Sequence, residues 1–124
     1  MGNFIHSRIL SFKHAIQGWG YVIRTQKNAW IHTIVTLLVF LLGLVLNISF
    51  RDWAVLIVTI AMVWMAEFLN SALEAVVDLA SPLQHTLAKV GKDVGAAAVL
   101  IAALASVIVG LLILGPPLLA FITR

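Results

Sequence analysis

Long apolar runs dominate the chain and are separated by only short polar segments. Three runs, over residues 30–50, 53–77 and 94–114, reach the length of about 20 residues that crosses the hydrocarbon of a bilayer as a helix. Lipid offers no partner for a free backbone amide, so isolated spans must be helical. Gly115, Pro116 and Pro117 are expected to end the third span. The pattern predicts an all-α membrane protein, with residues 1–124 forming a single membrane domain.

The stretch over residues 4–27 follows a different pattern. Its apolar positions recur at alternating spacings of four and three, which places them on one face of a helix, while the opposite face is polar and largely basic. The apolar face comprises Ile5, Ile9, Phe12, Ile16, Trp19 and Ile23. A basic amphipathic helix ahead of a span is expected to lie in the membrane interface against anionic headgroups. We therefore expect an amphipathic surface helix followed by three transmembrane helices.

The composition excludes an ordinary soluble domain. Hydrophobic residues make up 62% of the chain and charged residues 10%, against about 45–50% and about 25% in soluble domains. The basic residues are unevenly distributed around the predicted spans. One side of the membrane would hold Arg8, Lys13, Arg24, Lys27, Lys89 and Lys92, and the other only Arg51 and Arg124. The positive-inside rule then places the N-terminus and the second loop in the cytoplasm.

The second span carries an unusual stripe of polar residues. At about 100° per residue, Glu67, Asn70, Glu74 and Asp78 fall within one narrow arc of the helix. A charged residue near the bilayer centre costs about 2.5–3.5 kcal/mol on insertion scales, so such residues are candidates for function. We expect the stripe to face other helices or a water-filled cleft, close to the cytoplasmic side.

The residue types of the stripe suit phosphoryl transfer. Carboxylates and an amide oxygen are ligands for a Mg²⁺ ion that a nucleotide carries, and one carboxylate could accept a proton from an alcohol. Lys92, at the start of the third span, can hold phosphate oxygens on the same side of the membrane. The sequence contains neither a GxxxxGKS/T loop nor a kinase-type glycine loop. Metal, lysine and helix ends would therefore have to hold the nucleotide.

Each of these residues also has an ordinary structural interpretation. Glu67 could be the proton-coupling residue of a small transporter, and Asn70 and Ser71 could hydrogen-bond between helices. Lys92 could anchor the cytoplasmic end of the third span, with Asp93 as its N-cap. A purely structural membrane subunit is a third possibility. The histidines His6, His14 and His32 are expected to be interfacial and His85 to lie in a loop.

Two segments resemble a known family, the prokaryotic integral-membrane diacylglycerol kinases, which include undecaprenol kinases. The first is EFLNSALEAVVD, from Glu67 to Asp78, which is similar to the signature E-x-x-N-S/T-A-I/L-E-x-x-x-D. The second is AKVGKDVGAAAVL over residues 88–100, which is similar to the family's A-K-D-x-x-x-A-A-V-L segment. Together with the amphipathic start and the three spans, the resemblance covers nearly the whole chain.

The resemblance implies a lipid kinase in the bacterial cytoplasmic membrane. It implies a homotrimer that uses ATP and Mg²⁺ to phosphorylate the hydroxyl of a membrane lipid, diacylglycerol or undecaprenol, and it implies no nucleic-acid partner. By matching position, Glu67 would be the general base, Asn70 would support it, and Glu74 would bind the metal. Lys92 would contact the phosphates and Asp93 the nucleotide.

Three further positions are less regular matches to the family. Asp78 fits the signature and Arg8 resembles an arginine of the surface helix, and both are expected near the substrate side of the site. The family often has a glutamate just before the first span that shares the metal with the second-span glutamate. Here that position is Gln26, which keeps an oxygen ligand and could still contact metal and nucleotide, but without the charge.

Overall fold

The computed structural model describes residues 2–81 and 85–123, with side chains described from residue 4 onward. These residues form four α-helices and no strand. The helices are α1 (Gly2–Thr25), α2 (Lys27–Val45), α3 (Phe50–Ala80) and α4 (Thr86–Ile122). The predicted all-α architecture, with an N-terminal helix ahead of three long ones, is therefore confirmed.

The helices α2, α3 and α4 are each long and apolar enough to cross a membrane. Most of their large apolar side chains are exposed, which is costly in water but not in lipid, where no apolar surface needs to be hidden. Few apolar side chains are buried within the described chain; they are Val22, Ala29, Leu56, Val63, Trp64, Val99 and Leu114. The protein is a multi-pass membrane protein.

Short connections hold consecutive helices in place. A single residue, Gln26, separates α1 from α2, and its extended backbone turns the chain while its N–H still bonds to the carbonyl of Val22. Between α2 and α3, Asn47 adopts a left-handed conformation (φ 50°), which asparagine tolerates better than most residues. Ser49 then begins α3 with a capping box, in which its hydroxyl accepts from the Asp52 N–H.

Both ends of α4 differ from the sequence prediction. The N-cap is His85, whose Nδ1 accepts the N–H of Leu87, so the interpretation of Asp93 as the N-cap is wrong. Asp93 lies inside a helix that begins well before the apolar run, because the polar turn carrying Lys89 is helical too. The helix also continues through Pro116 and Pro117, since the φ of proline fits a helix and membrane helices tolerate both the lost hydrogen bonds and the crowding of the ring against the preceding turn.

The packing brings one end of every helix together. The most extensive contact is between α3 and α4, and α2 also packs on α3. Helix α1 is held to α3 by aromatic rings: the ring of Trp19 stacks on Trp64, with 5.2 Å between centroids, and lies 5.0 Å from Phe68. Because α2 and α4 run antiparallel to α3, the start of α2, the end of α3 and the start of α4 meet at the same end of the bundle.

Candidate active site

The polar stripe of α3 runs from the interior of the bundle to its edge. Glu67 has 0% and Asn70 7% of its surface exposed, Glu74 is half-buried, and Asp78 is exposed. The four side chains thus share one face of α3, as predicted, and that face is turned towards α2 and α4 rather than lipid. The other helices contribute Gln26, from the start of α2, and Lys92, from the start of α4.

Glu67 is the deepest residue of the site. It is the one large side chain that is fully buried in the described part of the protein, and neither carboxylate oxygen has a hydrogen-bond partner there. The nearest polar atom from another helix is His32 Nε2, 3.7 Å from Glu67 Oε2. Sequence reasoning missed His32 by treating it as interfacial. The available signal was its position inside a predicted span, where an ionisable residue is a candidate for function.

Glu74 lies in the middle of the stripe and is fully engaged. Its Oε2 accepts a hydrogen bond from Gln26 Nε2 at 3.0 Å, and its Oε1 accepts one from Asn70 Nδ2 at 3.0 Å. The two residues that the family resemblance pairs at a metal site, Gln26 and Glu74, are therefore in direct contact. Asn70 was expected to support Glu67. Within this chain its hydrogen bond goes instead to the carboxylate of Glu74.

The outer residues form ion pairs at the surface. Lys92 Nζ donates to Asp78 Oδ1 at 2.9 Å, which ties the start of α4 to the end of α3. Asp93 pairs with Lys89 on its own helix. Arg8 is not brought to the site, since its guanidinium lies over the ring of Phe4 on α1, 5.1 Å from the centroid.

Gly95 is a second residue that sequence reasoning missed. A Cβ at this position would overlap Asn70 Oδ1 and lie 3.1 Å from Leu73 Cδ2, so a larger residue here would require the Asn70 side chain to move. Asn70 Oδ1 is buried here without a hydrogen-bond partner in the described residues. Small residues are typical of closely packed membrane helices, but the sequence alone does not show which of those in α4 touches the site.

The donor atoms suit a magnesium ion that arrives with a nucleotide. The described residues contain no group of three or more histidine, cysteine, aspartate or glutamate side chains that could hold a metal ion. Glu74 and Gln26 place one carboxylate and one amide side by side; the amide directs its Nε2 at the carboxylate, so it would have to turn for its Oε1 to join Glu74 as a metal ligand. Mg²⁺ is normally held by one or two carboxylates together with substrate phosphates and water, so this small set fits a shared ion and not a resident one.

Comparison with known proteins shows which family the chain resembles. Residues 13–114 match the model of the prokaryotic diacylglycerol kinases. The chain belongs to this family. The match contains the whole polar stripe as well as Gln26, His32, Lys92 and Gly95, so the contacts of the stripe lie within the family domain.

Several relatives with known names align over most of the chain. A diacylglycerol kinase of Synechocystis sp. is 44% identical over 113 residues, which are 90% of this chain and 65% of that protein. An undecaprenol kinase of Bacillus subtilis is 37% identical over 108 residues, which are 87% of this chain and 88% of that protein. A diacylglycerol kinase of Escherichia coli is 35% identical over 104 residues, 78% of this chain and 85% of that protein.

The comparisons decide between the classes of function left open by the sequence. The family and these relatives carry the names of lipid kinases, and a kinase family implies a nucleotide as phosphate donor. The alternative of a proton-coupled transporter receives no support. The chain spans just under two thirds of the Synechocystis relative but most of the Bacillus one, and these two relatives are named for different lipids.

Proposed function

We propose that this protein is an ATP-dependent lipid kinase that phosphorylates the hydroxyl of diacylglycerol or undecaprenol. The products would be phosphatidic acid or undecaprenyl phosphate. The observation that carries the proposal is the single face of α3 on which a buried, unpaired Glu67 is followed by Glu74 in contact with Gln26. That order runs from an apolar interior, where a lipid hydroxyl can arrive, to a polar edge, where a nucleotide can arrive.

Glu67 is proposed as the general base. Its carboxylate accepts the proton of the lipid hydroxyl while the hydroxyl oxygen bonds to the γ-phosphorus of ATP. The bond between that phosphorus and the β,γ-bridging oxygen breaks, and ADP leaves. Both oxygens of Glu67 lack a hydrogen-bond donor in the described residues, so their lone pairs are available to a substrate. General bases of this kind contribute about 10²–10⁴-fold to rate.

The nucleotide end of the site is proposed at the edge of the bundle. Glu74 and Gln26 would hold Mg²⁺, with Asn70 orienting Glu74; when bound, the ion neutralises charge on the transferring phosphate. Lys92 would exchange Asp78 for phosphate oxygens, which its exposed position at the end of a flexible side chain permits. Asp93 is proposed to contact the nucleotide from the same end of α4.

The proposed membrane placement follows the charge distribution. The N-terminus and the site would face the cytoplasm, where ATP is available, and α1 would lie in the interface of the bacterial cytoplasmic membrane. Its exposed apolar face, with Ile9, Phe12 and Ile16, supports that location. We further propose a homotrimer, with Arg8 near the substrate side. The large exposed apolar surface of the three spans leaves room for such contacts.

A lipid phosphorylation assay tests the proposal. The full chain in mixed micelles is supplied with Mg²⁺ and ATP labelled in the γ-phosphate, with diacylglycerol in one sample and undecaprenol in the other. We expect labelled lipid with at least one of the two acceptors, and the ratio of the two rates identifies the preferred one. Labelling of neither lipid by a folded protein would overturn the proposal. The variant Glu67→Gln, which lacks the proposed base, provides the matched control with strongly reduced turnover.

A further inference from the structure

Two unsatisfied polar groups face each other inside the bundle. The Glu67 side chain is 1% exposed and that of His32 13% exposed. Glu67 Oε1, Glu67 Oε2 and His32 Nε2 all lack hydrogen-bond partners in the described residues, although 3.7 Å separates Oε2 from Nε2. A buried carboxylate without a donor is costly, and a buried imidazole N–H without an acceptor is costly as well. A small side-chain movement would satisfy both groups at once.

The imidazole of His32 is held in place by packing. Its ring meets the edge of the Trp64 ring at 67°, with 6.1 Å between centroids. Trp64 is in turn fixed by its Nε1–H, which donates to Thr36 Oγ1 at 3.2 Å, and by stacking on Trp19. The direction of Nε2 towards Glu67 is therefore set by three helices, and not by a freely rotating side chain.

We propose that His32 is a positioning residue for Glu67. Its Nε2–H donates a hydrogen bond to Glu67 Oε2 and fixes the carboxylate so that Oε1 is left to accept the proton of the lipid hydroxyl. The inference rests on the proposed function of Glu67 as general base. It assigns the two oxygens of one carboxylate different tasks, with Oε2 held by the protein and Oε1 offered to the substrate.

Substitutions at position 32 can show whether His32 acts as a hydrogen-bond donor or only as a packing residue. The amide nitrogen of glutamine occupies the place of histidine Nε2, whereas that of asparagine occupies the place of Nδ1. We expect His32→Asn and His32→Leu to lower kcat by about 10- to 100-fold, the loss typical of a hydrogen bond to a charged group, with little change in the KM for ATP. His32→Gln should restore most of the activity. Equal activity of the three variants would overturn the proposal.

Two controls keep this comparison specific. In a Glu67→Gln background, the same three substitutions should cause no further loss, because the carboxylate that His32 positions is gone. His14→Asn and His14→Leu alter a histidine on the exposed surface of α1 and should leave the lipid kinase rate unchanged. A further loss in the double variants as large as in the single ones would show that His32 acts independently of Glu67 and would overturn the proposal.

A spectroscopic measurement tests the contact without relying on activity. The full chain is labelled with ¹⁵N-histidine and the ring nitrogens are observed by NMR in micelles. Glu67→Gln should shift the His32 Nε2 resonance and leave those of His6, His14 and His85 in place. An unchanged His32 resonance would refute the contact alone. Failure of the wild-type protein to phosphorylate either lipid would instead refute the proposed function, so the two failures are distinguishable.

Discussion

The carboxylates at the two ends of the polar stripe have opposite surroundings. Glu67, at the inner end, is fully buried and has no hydrogen-bond partner in the described residues. Asp78, at the outer end, is exposed and has Lys92 as an ion-pair partner at 2.9 Å. Asp78 thus has its partner within hydrogen-bonding distance where water could have replaced it, whereas the partner proposed for the buried Glu67, His32, lies at 3.7 Å, beyond that distance.

This reversal indicates what each end is for. A buried carboxylate that accepts no hydrogen bond lowers stability, so a protein that contains one retains it for something other than stability. An exposed ion pair contributes little to stability and can be opened at low cost by a ligand that offers better charges. The inner end is therefore suited to chemistry on a buried hydroxyl, and the outer end to reversible contact with phosphates.

Removing the charge at the inner end should have the largest effect. We expect Glu67→Gln to lower kcat by at least about 100-fold, because the proposed base is lost. The melting temperature should stay the same or rise, since a neutral amide costs less to bury than a carboxylate. A radiolabel transfer assay and a thermal melt of the same preparation measure both quantities. Turnover close to that of the wild type would contradict the assignment of Glu67.

Removing the cation at the outer end should affect binding and not stability. We expect Lys92→Ala to raise the KM for ATP by roughly tenfold, as loss of a charged hydrogen bond does, with little change in melting temperature. Lys13→Ala is the control, because Lys13 is an exposed lysine of α1 outside the proposed nucleotide site. An equal rise of the KM in both variants would mean that general surface charge, and not Lys92 itself, attracts the nucleotide.

The middle of the stripe can be tested through Gly95. A Cβ at Gly95 would displace the Asn70 amide that holds Glu74, whereas a Cβ at Gly110 would meet nothing within 4 Å. We expect Gly95→Ala to be less stable than Gly110→Ala by about 1 kcal/mol, measured by reversible unfolding in micelles. Only the Gly95 variant should also lose kinase activity. Equal stabilities would show that Asn70 adjusts without cost.

The smallest change is expected when the missing charge is restored at position 26. Gln26→Glu places a second carboxylate beside Glu74, and we expect the Mg²⁺ concentration for half-maximal activity to fall by up to about fivefold. Without Mg²⁺ the two like charges repel, so the melting temperature should drop in the metal-free variant and recover as Mg²⁺ is added. Gln26→Met, which removes the hydrogen bond without adding charge, is the control. The same Mg²⁺ dependence in all three proteins would exclude Gln26 from the metal site.

Local sequence patterns were sufficient to predict much of the fold and the part of the site that lies on α3. Length and hydropathy predicted the three long helices, spacing predicted the amphipathic α1, and helical periodicity placed the stripe on one face of α3. These features depend on residues close together in sequence. The family resemblance added the pairing of Gln26 with Glu74, which are 48 positions apart and hydrogen-bonded in the structure.

The remaining features depend on how helices are rotated against each other. The approach of His32 to Glu67 is set by the rotation of α2 against α3, which the spacing of residues within α2 does not by itself determine. The contact of Gly95 with Asn70 depends in the same way on α4. The ends of α4 were mispredicted because a polar first turn looked like a loop and two prolines looked like a stop, although tertiary context permits helix at both.

The one-residue link at Gln26 fixes the orientation of α1 relative to α2. A chain that gained a residue there would join α1 and α2 by a longer non-helical connection, which would change the orientation of α1 relative to α2. The aromatic attachment of α1 and the histidine of α2 could then no longer meet the same tryptophan. The length of this link is therefore as specific a requirement as the identity of any side chain in the site, and insertions at this point should be far less tolerated than insertions in the turn after α2.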